Sequence, residues 1–291
     1  MLKIQSRRDF ISYLFLMPVL IFFSIFIYIP LIFSFICSLS SFESLNTLKF
    51  VGLKNFIEMI NDDVFWISLK NTLIITSIDL IAKLFGSLLV ALGFNSVIRG
   101  RRFFETAYYL PAVASIIVTG VIWSWMYFPE YGIVDITLKS LGLPTFLWLG
   151  DSRFAIYSII FVLFWKDVGL FGIVFLAGLQ AIPRSFYDSA KIDGAGFFSV
   201  LRHITLPLLK PSILFVIVMV TAWDLPQMAL PYQMTKGGPG YSTTTLMLYI
   251  YLQGFQAWRL GYASAMTFAL VCIALIFAYI QWRTLKTEVL Y

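Results

Sequence analysis

Residues 14–39 read LFLMPVLIFFSIFIYIPLIFSFICSL, and no charged residue occurs between Asp9 and Glu43. A helix of about 20 apolar residues crosses the hydrocarbon core of a bilayer. The run is also longer than the roughly 7–15-residue apolar core of a cleaved signal peptide, although Lys3, Arg7 and Arg8 precede it. We therefore expect the first membrane span here.

The rest of the chain has the same character. Of its 291 residues, 60% are hydrophobic and 12% are charged, whereas about a quarter of a typical soluble protein is charged. The composition predicts an all-α integral membrane protein, with one transmembrane domain over residues 1–291 and about six spans. We place the spans at 14–39, 71–95, 107–128, 154–180, 211–234 and 261–283.

The basic residues of the loops predict the orientation. Twelve Lys and Arg residues lie on the side of the two termini and seven on the other side. Because loops rich in Lys and Arg stay in the cytoplasm, we expect both termini there, in a bacterial cell membrane contacted by lipid. The net charge of +6 is divided among short clusters, which leaves no basic groove for nucleic acid.

The loop between the fourth and fifth spans, residues 182–207, reads IPRSFYDSAKIDGAGFFSVLRHITLP. Ser185 followed three residues later by Asp188 predicts that a helix starts there with a capping box. Gly194 is predicted to end that helix in the left-handed conformation, and Pro207 is predicted to limit the next helix. Such short helices are marginal in water unless something packs against them. Phe186, Tyr187 and Ala190 share one helix face, so the loop either docks in a groove of another protein or folds onto its own membrane domain.

Residues 187–195 and 204–207 resemble the EAA loop of ABC importer permeases, with Asp in place of Glu and Ser in place of the first Ala. The resemblance implies a type I importer fold with a cytoplasmic coupling helix that binds an ATPase. It assigns ATPase coupling to Tyr187, Asp188, Ser189, Ala190, Asp193, Gly194, Ala195, Ile204, Leu206 and Pro207.

Further stretches resemble the sugar-permease branch of the same family over nearly the whole chain, and TKGGPG at 235–240 resembles its MalF-type member. The resemblance implies transport of a carbohydrate or polyol-type solute. The implied partners are a second, MalG-like permease subunit, two cytoplasmic ABC ATPases and an extracytoplasmic solute-binding protein. The chain has no Gly-x-x-x-x-Gly-Lys-Ser/Thr sequence, so ATP and Mg²⁺ are expected on the partner ATPase and no cofactor on this chain.

Charged residues inside the spans need a partner or a wet cavity. Asp79 and Lys83 are four residues apart and predict an ion pair on one helix face. The adjacent Lys166 and Asp167 point in different directions, and their position near mid-span fits contact with another span or with the pathway.

The fifth span is interrupted by polar residues and by two prolines, a pattern of broken helices that line cavities. Its rings and polar groups suit a hydroxyl-rich solute. The alternative is polar packing between helices. The predicted substrate-pathway residues are Trp223, Asp224, Gln227, Tyr232 and, in the third span, Trp123.

The sequence offers no catalytic set. His203 is the only histidine, and Cys37 and Cys272 both lie in apolar runs, so we expect no enzyme activity in this chain, no metal site and no disulfide. Two other hypotheses stay open: an ion-coupled secondary transporter that uses the intramembrane Asp residues, and a membrane enzyme acting on lipids.

Overall fold

The computed structural model describes residues 15–41, 49–96 and 100–284. The predicted cytoplasmic ends of the chain, together with Leu14, lie outside these residues. Within them the fold is helical apart from one two-residue β pairing, in which Ser40–Ser41 (β1) runs antiparallel to Lys49–Phe50 (β2). The prediction of an all-α membrane fold is confirmed.

Four of the described helices are long and apolar enough to cross a membrane. They are α1 (Phe15–Ser38), α3 (Asp63–Asn95), α7 (Ala155–Ala181) and α13 (Leu260–Thr284). Short helices stand between them: α2 (Lys54–Ile60), α6 (Ile133–Ser140), α8 (Arg184–Ile192), α11 (Ala229–Thr235) and α12 (Leu246–Tyr251). Since α3 begins at Asp63, its helix starts earlier than the second span expected at 71–95.

Two further spans are bent helix pairs. Helices α4 (Arg101–Val113) and α5 (Ile116–Met126) meet at 100°, and α9 (Phe197–Leu208) and α10 (Lys210–Asp224) meet at 66°. Counting each pair as one span gives up to six spans. The sequence predicted one span over 107–128 and no break within it. The structure differs because the backbone is extended at Ala114 and Ser115, which ends the helical hydrogen-bond ladder there. Pro111, which has no amide hydrogen, already removes one bond from the last turn of α4.

The described residues divide into two compact units, which fall within residues 1–62 with 250–271 and within residues 63–249 with 272–291. In the first unit, Phe268 of α13 contacts Phe35 of α1, with ring centroids 5.2 Å apart, and lies edge-on to Phe56 of α2. The Asn55 amide donates to the carbonyls of Ser38 and Ser40 at 2.8 and 3.0 Å. These contacts join α2 to the end of α1.

The second unit is built around α3 and α7. Small residues let its helices approach closely: a Cβ at Gly172 of α7 would lie 3.0 Å from Val90 of α3, and one at Gly169 only 1.8 Å from the Tyr108 carbonyl oxygen of α4. The Ser87 hydroxyl donates to the Val168 carbonyl at 2.9 Å. These packed helices place charged side chains of three different elements next to one another.

Candidate functional site

Lys83 of α3 is the centre of a buried ion cluster in the second unit. Its side chain is 0% exposed, and its Nζ lies 2.6 Å from Asp79 Oδ2, 3.0 Å from Asp167 Oδ2 and 3.6 Å from Asp224 Oδ1. The predicted Asp79–Lys83 pair is therefore present. Asp167 of α7 and Asp224 of α10 extend it across three helices, because a buried ammonium must be paired and hydrogen-bonded to offset its lost hydration.

Lys166 forms the outer edge of this cluster. Its Nζ donates to the Ala112 carbonyl at 3.0 Å and lies 3.6 Å from Asp167 Oδ1. The expectation that Lys166 and Asp167 point in different directions is wrong, because their charged groups lie 3.6 Å apart. Both side chains are 12% exposed and turn toward the same space.

That space is an open cavity of about 550 Å³ in the second unit. Its wall includes the polar groups of Lys166 and Asp167 of α7 and the last turn of α10 with the residues after it. The lining residues are Ala112, Ile116, Leu163, Lys166, Asp167, Leu170, Ala222, Trp223, Asp224, Pro226, Gln227, Met228, Ala229 and Met247.

The break that opens this wall lies where the sequence predicted it. Helix α10 ends at Asp224 and α11 begins at Ala229. Gln227 fixes the connection, since its side-chain oxygen accepts the Ala229 amide at 3.0 Å and its carbonyl accepts the Thr245 hydroxyl at 2.5 Å. Trp223 is 43% exposed, so its ring is available to the cavity.

The other two predicted pathway residues lie elsewhere. Trp123 is 6% exposed and packs in a core cluster with Leu230 and Met234. The Lys236 ammonium lies over the Tyr232 ring in a cation–π contact, with its Nζ 3.9 Å from the ring centroid. The structure therefore brings Trp223, Asp224 and Gln227 together and does not bring Trp123 or Tyr232 to this cavity.

Two neighbouring threonines, Thr243 and Thr244, hold the loop at 235–240. Thr244 donates to the Gly237 carbonyl at 2.9 Å and Thr243 to the Gly238 carbonyl at 3.0 Å. Gly237 has a φ of +91°, and a Cβ there would meet the Thr244 hydroxyl at 2.5 Å. Glycine is therefore required at this position by both conformation and space.

The loop at 184–208 forms a second candidate site. Helix α8 starts after Pro183, the N-cap residue, and Ser185 makes no capping hydrogen bond, so the predicted capping-box start at Ser185 is wrong. Gly194 has the left-handed φ of +72° that the sequence predicted. The Ala195 amide donates to the Ala190 carbonyl at 2.9 Å and closes the turn before α9.

One side of this loop faces its own chain. Ala190 is 6% exposed, and the Tyr187 hydroxyl lies 3.4 Å from the Thr205 hydroxyl. Helix α9 passes through a π-helical turn at Leu201–Thr205 and ends at Leu208, one residue after the limit predicted at Pro207. The predicted common face is divided, because Phe186 is 48% exposed while Ala190 is buried.

The other side is open. Phe198 and Ile192 are 81% and 87% exposed, and Asp188, Ser189, Asp193 and Gly194 are exposed as well. A hollow of about 430 Å³ lies between α8 and α9. Its wall consists of Ser185, Phe186, Ser189, Ala190, Asp193, Ala195, Ser199, Val200, His203 and Ile204.

The model of the family described as "Binding-protein-dependent transport system inner membrane component" matches residues 83–282, more than half of the chain. The chain belongs to this family. It is a multi-pass inner membrane protein and a permease subunit of an ABC importer.

The similarities extend beyond the matched segment. The probable ABC transporter permease protein YurN of Bacillus subtilis is 34% identical over 287 residues, 97% of this chain and 98% of the relative. The sulfoquinovosyl glycerol transport system permease protein SmoG of Agrobacterium fabrum is 35% identical over 240 residues, 82% of this chain and 78% of the relative.

The fold is similar to that of a solved permease. A chain of the bacterial alginate ABC transporter, crystallised with an alginate pentasaccharide-bound periplasmic protein, superposes with a TM-score of 0.84 at 26% identity. The similarity covers 98% of this chain and 97% of the other. The permease therefore has the type I importer fold expected from the sequence.

Sequence reasoning missed two features of this permease site. It paired Lys83 with Asp79 alone and expected Asp167 to contact another span or the pathway without naming Lys83, because helical spacing relates only residues of one helix. It also gave no role to Thr243 and Thr244, although hydroxyl residues shortly after a glycine-rich loop were a visible signal for side-chain hydrogen bonds to its carbonyls.

Proposed function

We propose that this subunit forms, together with a second permease, the pathway for a carbohydrate or polyol-type solute, and that partner ATPases drive the transport. The observation that carries the proposal is the 550 Å³ cavity at the break between α10 and α11. A broken helix at membrane depth is tolerated where it lines a cavity, and the cavity combines an exposed indole with polar groups.

Trp223, Asp224 and Gln227 are the proposed solute contacts. An indole face stacks on the apolar face of a sugar ring, and a carboxylate and an amide accept and donate hydrogen bonds to hydroxyl groups. The named solutes of similar proteins support this class: SmoG is named for sulfoquinovosyl glycerol, and the structural relative transports alginate. Trp123 and Tyr232, which lie outside the cavity wall, are proposed to support α5 and α11.

The loop at 184–208 is the proposed contact with the ATPase. Its exposed side carries Phe186, Ile192, Phe197 and Phe198, apolar side chains that a cytoplasmic protein surface would cover. Asp188, Ser189, Asp193 and Gly194 lie on the exposed surface. On the other side Ala190 is buried, Tyr187 packs against the core cluster that includes Leu179 and Ile182, and its hydroxyl lies near that of Thr205 in α9. The proposed orientation places this loop and both termini in the cytoplasm.

In this proposal the subunit is not itself an enzyme, and ATP and Mg²⁺ bind to the two partner ATPases. An extracytoplasmic solute-binding protein delivers the solute. Closure of the ATPases moves α8, and the movement reaches α10 through α9. The subunit supplies the pathway wall and the mechanical link.

Reconstitution into proteoliposomes tests the proposal. The subunit is combined with its second permease, two ATPases and the binding protein, and uptake of a labelled saccharide is measured with and without internal ATP. Uptake that requires ATP supports the proposal. Uptake that persists without ATP under an ion gradient would identify a secondary transporter, and turnover of a lipid by the purified chain would identify an enzyme.

A further inference from the structure

Helix α2, in the first unit, is tied to the ends of two membrane spans. The Asn55 amide donates to the carbonyls of Ser38 and Ser40, at the end of α1. Glu58 forms an ion pair with Arg259, directly before α13 begins. Because α1 ends and α13 begins at this place, α2 lies at one face of the membrane, near the level where both spans meet the headgroups.

One side of α2 lies beside α13 and not beyond its end. The Phe56 ring is edge-on to that of Phe268, with centroids 6.2 Å apart, and Phe35 of α1 contacts the same ring. Phe268 lies more than two turns inside α13, which begins at Leu260. Two turns of helix rise about 11 Å, so the Phe56 side chain reaches the depth of the hydrocarbon.

The residues of α2 fall into three sectors around the helix axis, since successive residues are about 100° apart. Asn55 and Met59 form the buried sector and are 8% and 7% exposed. Lys54, Glu58 and Asn61 form a second sector, which is polar and exposed. The third sector is apolar.

The apolar sector continues the side of α2 that reaches the span. It contains Phe56 and a stripe formed by Leu53, Ile57 and Ile60, which are 63%, 60% and 58% exposed. Large apolar side chains that share one exposed face mark a surface that lipid or protein covers. The depth of Phe56 favours lipid, because side chains of the same sector lie level with the first turns of a span.

The polar sector lies on the far side of this stripe from Phe56. Across the exposed surface of α2, apolar side chains therefore give way to charged ones. A helix that lies in a membrane interface shows this division, with its apolar side chains at the acyl boundary and its charges among the headgroups. Trp258 precedes Arg259 at the same level and is 65% exposed, and an indole ring suits the headgroup region.

We infer that α2 is an interfacial membrane helix whose stripe, Leu53, Ile57 and Ile60, is inserted among lipid acyl chains. Lys54 and Glu58 then lie among the headgroups. Through the contacts of Asn55 and Glu58, the helix holds the end of α1 and the start of α13 at a fixed depth. This role does not depend on the transported solute.

The accessibility of a spin label measures where the stripe lies. Cys37 and Cys272 are replaced by Ala, and Leu53→Cys and Ile57→Cys each carry one nitroxide. The labelled subunit is reconstituted, with the subunits that co-purify with it, into liposomes of phosphatidylcholine and phosphatidylglycerol. Collisions of the label with oxygen, which concentrates in lipid, are compared with collisions with a water-soluble nickel chelate. Lys54→Cys, on the exposed polar sector of the same helix, is the matched control.

We expect the oxygen-to-nickel collision ratio to be at least about fivefold higher at both stripe positions than at Lys54→Cys, as for side chains about 5–10 Å below the headgroups. A ratio at either stripe position within about twofold of the control would place the stripe in water and overturn the inference. Low collision rates with both reagents at the stripe would show that another protein covers it, which would overturn the inference as well.

Discussion

The ion cluster and the loop at 184–208 place polar and apolar groups in opposite ways. Around Lys83, charged side chains lie where apolar ones are expected, and they find their partners within the chain on three helices. On the loop, Ile192 and Phe198 lie at the surface and are 87% and 81% exposed. The charges of the ion cluster are paired within the chain, whereas the apolar side chains of the loop have no surface of the described chain to cover them.

The difference indicates which region acts through another protein. Charges that are paired inside one chain can shape a pathway within that chain, because their geometry is fixed by its own packing. Exposed apolar side chains on a short helix at the end of a membrane domain indicate a missing surface. Substitutions in the cluster should therefore affect this subunit itself, whereas those on the open side of the loop should affect assembly.

The largest effect on the subunit is expected from Lys83→Met. It removes the cation that Asp79 and Asp224 share and leaves Asp167 next to Lys166 alone, and breaking a buried ion pair costs about 3–5 kcal/mol. Thermal unfolding of the detergent-solubilised subunit should show a strongly lowered Tm. Lys70→Met, an exposed position on the same helix, is the control, and equal Tm values for the two variants would contradict a structural role for Lys83.

A smaller effect is expected within the loop from Ala190→Glu. Ala190 is 6% exposed against its own chain, so a carboxylate there costs about 2 kcal/mol. Ser189→Glu introduces the same group one residue earlier at an exposed position and should change stability by less than about 0.5 kcal/mol. Denaturant unfolding of both variants measures the difference, which would vanish if α8 faced solvent on all sides.

The smallest effect on stability is expected from Asp224→Asn. The substitution keeps the shape and removes one of three carboxylates around Lys83, so the loss of attraction and the relief of repulsion offset each other to within about 1 kcal/mol. Solute uptake should nevertheless change, because Asp224 lines the cavity. An Asp224→Asn variant with an unchanged Tm and unchanged uptake would remove Asp224 from the pathway.

The sequence predicted features that depend on neighbours along the chain. Apolar runs predicted the helices, the i,i+4 spacing predicted the Asp79–Lys83 pair, and the interrupted fifth span predicted the break after Asp224. The left-handed conformation of Gly194 was also predicted, because a glycine at the end of a short helix depends only on its neighbours along the chain.

Features that depend on tertiary packing could not be predicted in this way. The convergence of Asp167 and Asp224 on Lys83 requires the arrangement of three helices. The sharp bend at Ala114 and Ser115 lacks a glycine signal, although Pro111 was visible nearby. Ala190 is buried and Phe186 is exposed. This difference could not be predicted, because it depends on which side of α8 packs against the rest of the chain.

The most direct test of the account is co-purification of this subunit with its ATPase and second permease in detergent, comparing wild type with Ser189→Arg. Ser189 is exposed at the hollow between α8 and α9, and Ser140→Arg, an exposed serine at the end of α6, is the control. We predict that wild type and Ser140→Arg retain the ATPase while Ser189→Arg loses it with an unchanged Tm. Retention of the ATPase by all three proteins would contradict the assignment of the loop.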